Sequence, residues 1–216
     1  MVSDRRGRRP SGRRFVLIGG RLCVDFANTV YAPDDPAGAL GDFDDLVAFL
    51  QAAGAVDGGG ARELRALARR RPRQGAAAFA GALALRDTLR GWLVALEAGA
   101  PVQRAWVRVI NGILRSDVAY PQLLARRDRW VLVHRRSRPS PLAALVPLAR
   151  SAAELMQEGP AAPVRKCASE KCLLYFYDGS RRRTRRWCSM AVCGNRMKVA
   201  AHAGRARGDL DAARRR

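Results

Sequence analysis

Four of the five cysteines form two evenly spaced pairs in the last quarter of the chain. Cys167 and Cys172 enclose four residues, fifteen residues follow, and Cys188 and Cys193 enclose four more. Two pairs at this separation can place four thiolates around one tetrahedral ion, for which zinc is the usual occupant. A basic segment of about 45 residues cannot bury enough apolar surface to fold alone. The pattern therefore predicts a module over residues 163–207, with a strand, a loop and a helix around one structural zinc.

Clustered cysteines have other uses, which the spacing alone leaves open. An iron–sulfur cluster uses different cysteine spacings, and a disulfide pair suits an oxidising compartment. A catalytic thiol needs a nearby base, and His202 is the one histidine of the segment. Four thiolates would leave no position for an activated water, so we expect a structural role. Cys23 has no partner in sequence and is expected to be a buried, inert thiol.

The stretch "GRRFVLIGG" near the N-terminus superficially resembles an export signal. Its apolar run, Phe15 to Gly20, is shorter than the roughly 7–15 residues that such a signal needs. No apolar run in the sequence approaches the roughly 20 residues of a membrane span. We therefore expect a cytoplasmic protein, a location that disfavours disulfides.

The charge of the chain is strongly positive and unevenly distributed. Lysine and arginine number 40 against 19 acidic residues, for a formal net charge of +21. Residues 161–216 carry 15 bases and 4 acids, and residues 1–14 carry 6 bases and 1 acid. Such ends attract polyanions, of which nucleic acid is the commonest. A solvated tail that only aids solubility has the same composition and is the alternative.

Two features of the cysteine segment predict contacts to nucleic acid. Five arginines occupy six positions between the cysteine pairs, and a helix from Arg196 to Arg207 would carry a basic stripe beside His202. Such a cluster repels itself unless anions meet it, which suits phosphate groups, although a solvated basic face is the alternative. The candidate nucleic-acid-binding residues are Arg181, Arg182, Arg183, Arg185, Arg186, Arg196, Lys198 and Arg205. The aromatic residues expected to form the core of the module are Tyr175, Phe176, Tyr177 and Trp187.

The preceding residues, 15–158, predict a mostly helical α+β domain with a small antiparallel sheet. Residues 1–14 are expected to be a disordered basic tail, 159–162 a linker and 208–216 a second basic tail. Gly19-Gly20 predicts a two-residue hairpin between the apolar runs Phe15–Ile18 and Leu22–Phe26, and alternation predicts a strand at Arg129–Arg135. Helices are expected at Phe43–Ala53 with Asp42 as cap and, after a break at Gly58–Gly60, at Ala61–Arg71, Ala76–Ala98, Val102–Leu114 and Pro141–Gln157.

Asp25 is an acid within the apolar run "LCVDF". In a strand, Asp25 would share a face with Cys23, and a buried carboxylate needs hydrogen bonds or a counter-charge. One interpretation is that Asp25, Asn28 and Thr29 fix the following turn through bonds to the backbone. The other is a ligand pocket floored by Asp25 and Asn28. The sequence shows no nucleotide-binding loop, paired catalytic carboxylates or serine–histidine arrangement, so we expect no enzyme.

Several stretches of the sequence resemble two known families. "CGNR" at 193–196, preceded by "FYDGSRRRTRRWCSMAV", resembles the CGNR zinc-finger family of bacterial proteins. "GGRLCVDFANTV" at 19–30 resembles the signature of the ABATE domain, and "ALRDTLRGWL" and "SAAELM" resemble its later helices. The resemblance implies a finger that binds DNA and is held by zinc on Cys167, Cys172, Cys188 and Cys193. It also implies an N-terminal sensor domain of a stress-linked transcription regulator.

These observations favour a zinc-dependent, DNA-binding transcription regulator. Its N-terminal domain would either sense a small-molecule effector or form a homodimer. The alternative is an RNA- or ribosome-associated zinc protein, in which exposed aromatic side chains would stack on unpaired bases. An enzyme that uses the finger only for docking is a third hypothesis, for which the sequence offers only Asp25 and scattered acids.

Overall fold

The computed structural model describes residues 15–30, 39–116, 119–136, 139–170 and 172–199. Most of the described residues are helical, and their strands pair into two antiparallel two-stranded sheets. The predicted class, α+β and mostly helical with a C-terminal cysteine module, is confirmed. The predicted tails, His202 and Arg205 lie outside the described residues.

The α-helices are α1 (Leu22–Ala27), α2 (Phe43–Ala52), α3 (Gly58–Arg70), α4 (Pro72–Glu97), α5 (Arg104–Arg115) and α6 (Val146–Gln157). The strands are β1 (Ala119–Arg126), β2 (Arg129–Arg136), β3 (Val164–Lys166) and β4 (Tyr175–Tyr177). Short 3-10 turns follow α1 at Asn28–Val30, precede α6 at Pro141–Leu145 and follow it at Gly159–Ala161. Below, the described residues up to 157 are the helical body, and residues 162–199 are the cysteine module.

Helix α4 lies at the centre of the helical body and contacts α1, α2, α3 and α5. Its buried face carries Leu85, Leu89 and Trp92. Phe26 of α1 and Phe49 of α2 pack with ring centroids 5.5 Å apart in the same core. Burial of these large apolar side chains is the main stabilising contribution to the body. Among the described residues, no helix combines the length and the apolar character that crossing a membrane requires.

The starts of α2 and α3 are set by aspartate caps. The side chain of Asp42 accepts a hydrogen bond from the N–H of Asp45 (2.8 Å), which confirms the predicted cap of α2. The side chain of Asp57 accepts a hydrogen bond from the N–H of Gly60 (2.7 Å) and so caps α3. The predicted break at Gly58–Gly60 is therefore wrong, because the cap holds the three glycines in the first turn of α3.

The predicted hairpin at Gly19-Gly20 is also wrong, since residues 22–27 form helix α1. Gly20 adopts a φ of 73°, and the chain turns back so that the N–H of Gly19 donates to Asp25 Oδ1 (2.6 Å). Four of the six residues of α1 are buried. In an alternating strand, two of them would point to one face of the strand and two to the other. Over so short a run, a helix buried on most sides cannot be distinguished from a strand by periodicity.

Other helix boundaries shift at prolines. Helix α4 begins at Pro72, four residues before the predicted start at Ala76, because proline suits the first helical turn. The predicted helix Pro141–Gln157 is split into a 3-10 turn and α6, and the α-helix begins where Pro147 occupies its first turn. Helix α5 and the end of α4 agree with the sequence within a few residues.

Strands β1 and β2 form a hairpin, paired from Ala119↔Arg136 at its base to Arg126↔Arg129 at its tip. The strand expected at Arg129–Arg135 is confirmed as β2. The sequence does not predict its partner β1, because "AYPQLLAR" contains a proline and lacks a regular alternation.

The cysteine module packs directly on the helical body. Ala162, Val164 and Tyr175 belong to the same buried core as α1, α4 and α6. Strands β3 and β4 pair through Val164↔Tyr177 and Lys166↔Tyr175, and α1 and α4 contact this small sheet. The stretch expected to be a linker, 159–162, is a 3-10 turn that ends at the buried Ala162.

Candidate metal centre and basic surface

The four paired cysteines converge on one point of the cysteine module. All four are buried and free of disulfides, and their sulfur atoms all lie within 4.8 Å of one another. Cys172 Sγ is 3.7 Å from Cys188 Sγ, which is 3.6 Å from Cys193 Sγ. A tetrahedral zinc with bonds of about 2.3 Å to sulfur separates its ligands by about 3.8 Å. The geometry is therefore that of a four-thiolate zinc site.

Buried thiols this close together cannot all ionise without a cation. Burial raises the pKa of Cys172, and burial together with the neighbouring sulfur atoms raises that of Cys188. Burial also opposes ionisation of Cys167, yet the N–H of Cys188, 3.4 Å from Cys167 Sγ, helps to lower the pKa of Cys167. A divalent metal resolves this conflict, because it stabilises thiolates in place of thiols. The residues present thus fit zinc.

Two backbone segments deliver the sulfur atoms. Cys167 directly follows β3, and its N–H donates to the carbonyl of Leu174 (2.9 Å) just before β4. The second pair spans a π-helical turn, Met190–Gly194, in which the N–H of Val192 donates to the hydroxyl of Ser189 (3.3 Å). The site is therefore formed by one end of the small sheet and one helical turn.

Gly194 and Asn195 shape this turn. A Cβ atom on Gly194 would clash with the side chain of Met190 and would lie 3.6 Å from the ring of Trp187. The side-chain amide of Asn195 donates to the carbonyl of Ala191 (3.2 Å) across the turn. The glycine and asparagine of "CGNR" thus pack within the turn that carries Cys193.

The aromatic residues divide between two cores, whereas the sequence predicts one core for the module alone. Phe176 and Trp187 pack with the cysteines, together with Leu174 and with Ile18 from the body. Tyr175 and Tyr177 instead pack against the core of the helical body. Neighbouring residues of β4 point to opposite faces, so one strand supplies both cores.

Asp178 organises the arginine-rich loop that follows β4. Its carboxylate accepts from the hydroxyl of Ser180 (2.6 Å), from the N–H of Ser180 and from the N–H of Arg185 (2.9 Å). Burial alone would raise the pKa of Asp178, but these bonds and the charge of Arg165 hold it below its ordinary value. The sequence indicates only a turn here, although an aspartate before Gly-Ser is a typical loop-fixing residue.

The predicted nucleic-acid-binding residues have different environments. Arg185 turns inward, where its guanidinium donates to the carbonyls of Trp187 and Cys188 and lies 4.5 Å from the ring of Phe176. The guanidinium of Arg185 is therefore held by hydrogen bonds within the cysteine module. The exposed candidates are Arg181, Arg182, Arg183, Arg186, Arg196 and Lys198. None of these six forms an ion pair with another described residue.

The candidate ligand residues Asp25 and Asn28 are engaged with the backbone. The carboxylate of Asp25 accepts a hydrogen bond from the N–H of Gly19. The carbonyl of Gly19 in turn accepts one from the N–H of Tyr177 (2.7 Å). The buried amide of Asn28 accepts from the N–H of Tyr175 (2.9 Å) and donates to its carbonyl (2.8 Å). The hydroxyl of Thr29 donates to the carbonyl of Phe26 (2.7 Å). These bonds give Asn28 a structural role at the junction of body and module, and the ligand pocket considered from the sequence stays a prediction.

Further side chains at this junction carry no signal in the sequence. Arg90 of α4 donates to the carbonyl of Leu173 (3.0 Å), and the hydroxyl of Tyr175 donates to Glu97 (3.3 Å). Arg21 pairs with Glu158 (3.0 Å), which also accepts from the hydroxyl of Tyr177 (2.9 Å). Periodicity cannot reveal such pairs, because they join residues far apart in sequence.

Two family models match the chain, and both resemblances seen in the sequence are confirmed. One, ABATE, is described as "Putative stress-induced transcription regulator" and matches residues 20–159. The other is described as "CGNR zinc finger" and matches residues 164–206, so the four clustered cysteines lie in a zinc-finger domain, as expected for one structural zinc. A comparison with curated proteins finds no match. The chain therefore belongs to the ABATE family and carries a CGNR zinc finger after its ABATE domain.

Proposed function

We propose that this chain is a cytoplasmic transcription regulator that binds duplex DNA through its cysteine module, with one structural zinc on Cys167, Cys172, Cys188 and Cys193. The observation that carries the proposal is the exposed loop 181–186, which is anchored by Asp178 and lies between the two halves of the zinc site. Its exposed arginines have no acidic partner among the described residues. Phosphate groups would supply the missing negative charge.

The helix that starts in the second cysteine pair extends this basic surface. Residues 195–199 are helical, and Arg196 and Lys198 are exposed. In the proposed complex, the loop arginines bind the phosphate backbone and these two side chains approach the base edges, as does Arg205 beyond the described residues. Zinc acts structurally, because four thiolates complete its coordination.

Binding to single-stranded RNA is the less favoured alternative. RNA-binding modules commonly stack bases on exposed aromatic rings. In the cysteine module, Phe176 and Tyr175 are buried and Trp187 packs with the cysteines. The module therefore offers phosphate-binding cations but no open stacking surface among its described residues.

The helical body is proposed to regulate DNA binding, either by sensing an effector or by forming a dimer. An open groove of about 480 Å³ between the end of α4 and β3 favours sensing, because its walls come from both body and module. Glu97, Arg165, Lys166 and Arg183 contribute polar groups to it. An effector that binds there would change the DNA affinity of the wild-type chain, and Lys166→Ala would weaken this response.

The function is tested by selecting random duplex DNA on the full chain near physiological salt. An enriched sequence motif is expected, and it should be lost in Cys188→Ser but kept in Cys23→Ser, which removes a buried thiol outside the zinc site. Single-stranded RNA is added as a competitor. No enrichment, combined with RNA outcompeting the duplex, would overturn the proposal in favour of an RNA-binding protein.

A further inference from the structure

The β1–β2 hairpin carries an exposed apolar face. Leu123 and Leu132 are directly paired across the two strands, and Trp130 lies on the same face two residues away. Their exposed fractions are 57%, 62% and 69%. The two strands pack chiefly against each other, so no other described element covers this face. Contiguous exposed apolar side chains of this kind commonly mark an interaction site.

The tip of the same hairpin carries three arginines and one acid, Asp128, and so has a net positive charge. Arg126 stands directly opposite Arg129, and like charges in such a pair destabilise a ribbon. Arg127 lies between them in the left-handed region, with a φ of 47°, where glycine or asparagine is better suited. All three arginines are exposed, and none forms an ion pair with a described residue. Charge repulsion and the backbone conformation of Arg127 therefore destabilise the tip of the free hairpin. Bound anions would offset the charge repulsion.

We propose that the β1–β2 hairpin is a second duplex-DNA contact, separate from the cysteine module. Its apolar face enters a groove, and the arginines at its tip bind phosphates that flank the groove. A two-stranded ribbon about 10 Å wide fits the major groove, which is about 12 Å wide and 8.5 Å deep. In the major groove, apolar side chains contact the methyl groups of thymine. The inference rests on the proposed function, because it requires a chain that binds duplex DNA.

A second copy of the chain suits this face less well. The face is about 27 Å long and 10 Å wide, whereas a stable protein–protein interface buries about 800 Å² on each partner. The hairpin also carries five arginines and one acid over residues 119–136. Pairing two such ribbons around a twofold axis would bring the arginines of both copies together. The charge of the hairpin thus favours a polyanion over a second copy of the chain.

The test compares two matched sets of charge removals in the full, zinc-loaded chain. The first variant combines Arg126→Ser, Arg127→Ser and Arg129→Ser. The control combines Arg62→Ser, Arg69→Ser and Arg70→Ser, which removes three exposed arginines from α3. Binding of a mixed-sequence DNA duplex is measured over a range of salt concentrations. The hairpin variant should bind about 10- to 100-fold more weakly near physiological salt, and its salt slope should fall by about 0.9 for each phosphate that the variant no longer neutralises.

The groove contact is tested separately by Trp130→Thr combined with Leu132→Thr. This variant should bind about tenfold more weakly with an unchanged salt slope, because it removes no charge. In the wild type, the duplex should shield Trp130 from acrylamide quenching, with Trp130→Phe giving the background of the other tryptophans. The side chains concerned are exposed, so zinc content and the circular dichroism spectrum should not change.

Three outcomes would contradict the proposal in different ways. If both hairpin variants kept the DNA affinity and the salt slope of the wild type, the second contact would be overturned. The proposed binding of DNA by the cysteine module would be unaffected. Unchanged DNA binding together with a shift in sedimentation would assign the face to a second copy of the chain. A wild-type chain with no affinity for duplex DNA would overturn the proposed function and this inference together.

Discussion

The helical body and the cysteine module bury different kinds of residue. Around α4 the body encloses large apolar side chains such as Trp92, Phe26 and Leu89. In the module, the second buried cluster consists of the four cysteines with Leu174 and Phe176. The body can therefore be stabilised by the hydrophobic effect, whereas we expect the folding of the module to depend on a metal. Asn28 and Tyr175 join the two through a pair of buried hydrogen bonds.

Metal removal should affect the two regions most differently. Chelation of zinc should unfold the module, because metal binding contributes about 10 kcal/mol or more to such small folds. Helix α4 should stay protected from hydrogen exchange, while the amides of the module exchange freely. Cys188→Ser should reproduce this pattern, and Cys23→Ser should not. Unfolding of both regions in one transition on chelation would show that the body also depends on the metal.

The converse change removes apolar volume from the body. Leu89→Ala, at a site only 1% exposed, should lower the free energy of unfolding by about 2–5 kcal/mol through loss of buried area and creation of a cavity. Denaturant unfolding measures this decrease, and zinc content should stay at one per chain. If the variant lost zinc while keeping its free energy of unfolding, Leu89 would support the metal site and not the stability of the body, which contradicts the assignment.

The junction itself is broken by Asn28→Ala. The change leaves the N–H and the carbonyl of Tyr175 without partners in a buried site, at a cost of about 2–4 kcal/mol. Hydrogen exchange at Tyr175 should become faster while α4 is unaffected. Asn111→Ala, at an exposed position of α5, is the matched control and should change little. Equal effects of the two substitutions would mean that the amide of Asn28 does not hold the junction.

The smallest expected effect concerns pH. Burial raises the pKa of Asp25 to about 6, although its bond from Gly19 acts in the opposite direction. The stability that Asp25 provides is thus fully present below its unfolded pKa of about 4 and is lost as the pH rises through 6. Asp25→Asn keeps an acceptor for Gly19 and cannot ionise. Relative to wild type, it should gain about 1–2 kcal/mol between pH 4 and 7, allowing for partial solvent exposure.

Denaturant unfolding of both proteins across this range measures the difference. A gain that is the same at every pH would show that ionisation of Asp25 is not its cause.

The zinc-finger architecture is predictable from the sequence because its signals are local. The spacing of the four cysteines and the "CGNR" run suffice for the metal centre, and Asp42 is sufficient to place the start of α2. Each of these features depends on residues only a few positions apart or on a fixed ligand chemistry.

The junction and the hairpin are not predictable for the opposite reason. Asn28 and Tyr175 are 147 residues apart, and no spacing rule connects an amide side chain to a distant backbone. Helix α1 has the sequence pattern of a strand because its burial on most sides conceals the helical period. Strand β1 escapes prediction because it contains a proline and lacks the regular alternation that pattern rules require of a strand.

The central claim is that a metal-held module binds DNA, and it is tested most directly by titrating zinc into the metal-free full chain while following duplex binding. The account predicts that sequence-specific affinity appears in step with zinc, reaches its limit at one ion per chain, and weakens as salt rises. The Cys188→Ser chain should show no such gain. Duplex binding of equal affinity and sequence preference in the metal-free and zinc-loaded chains would contradict the account.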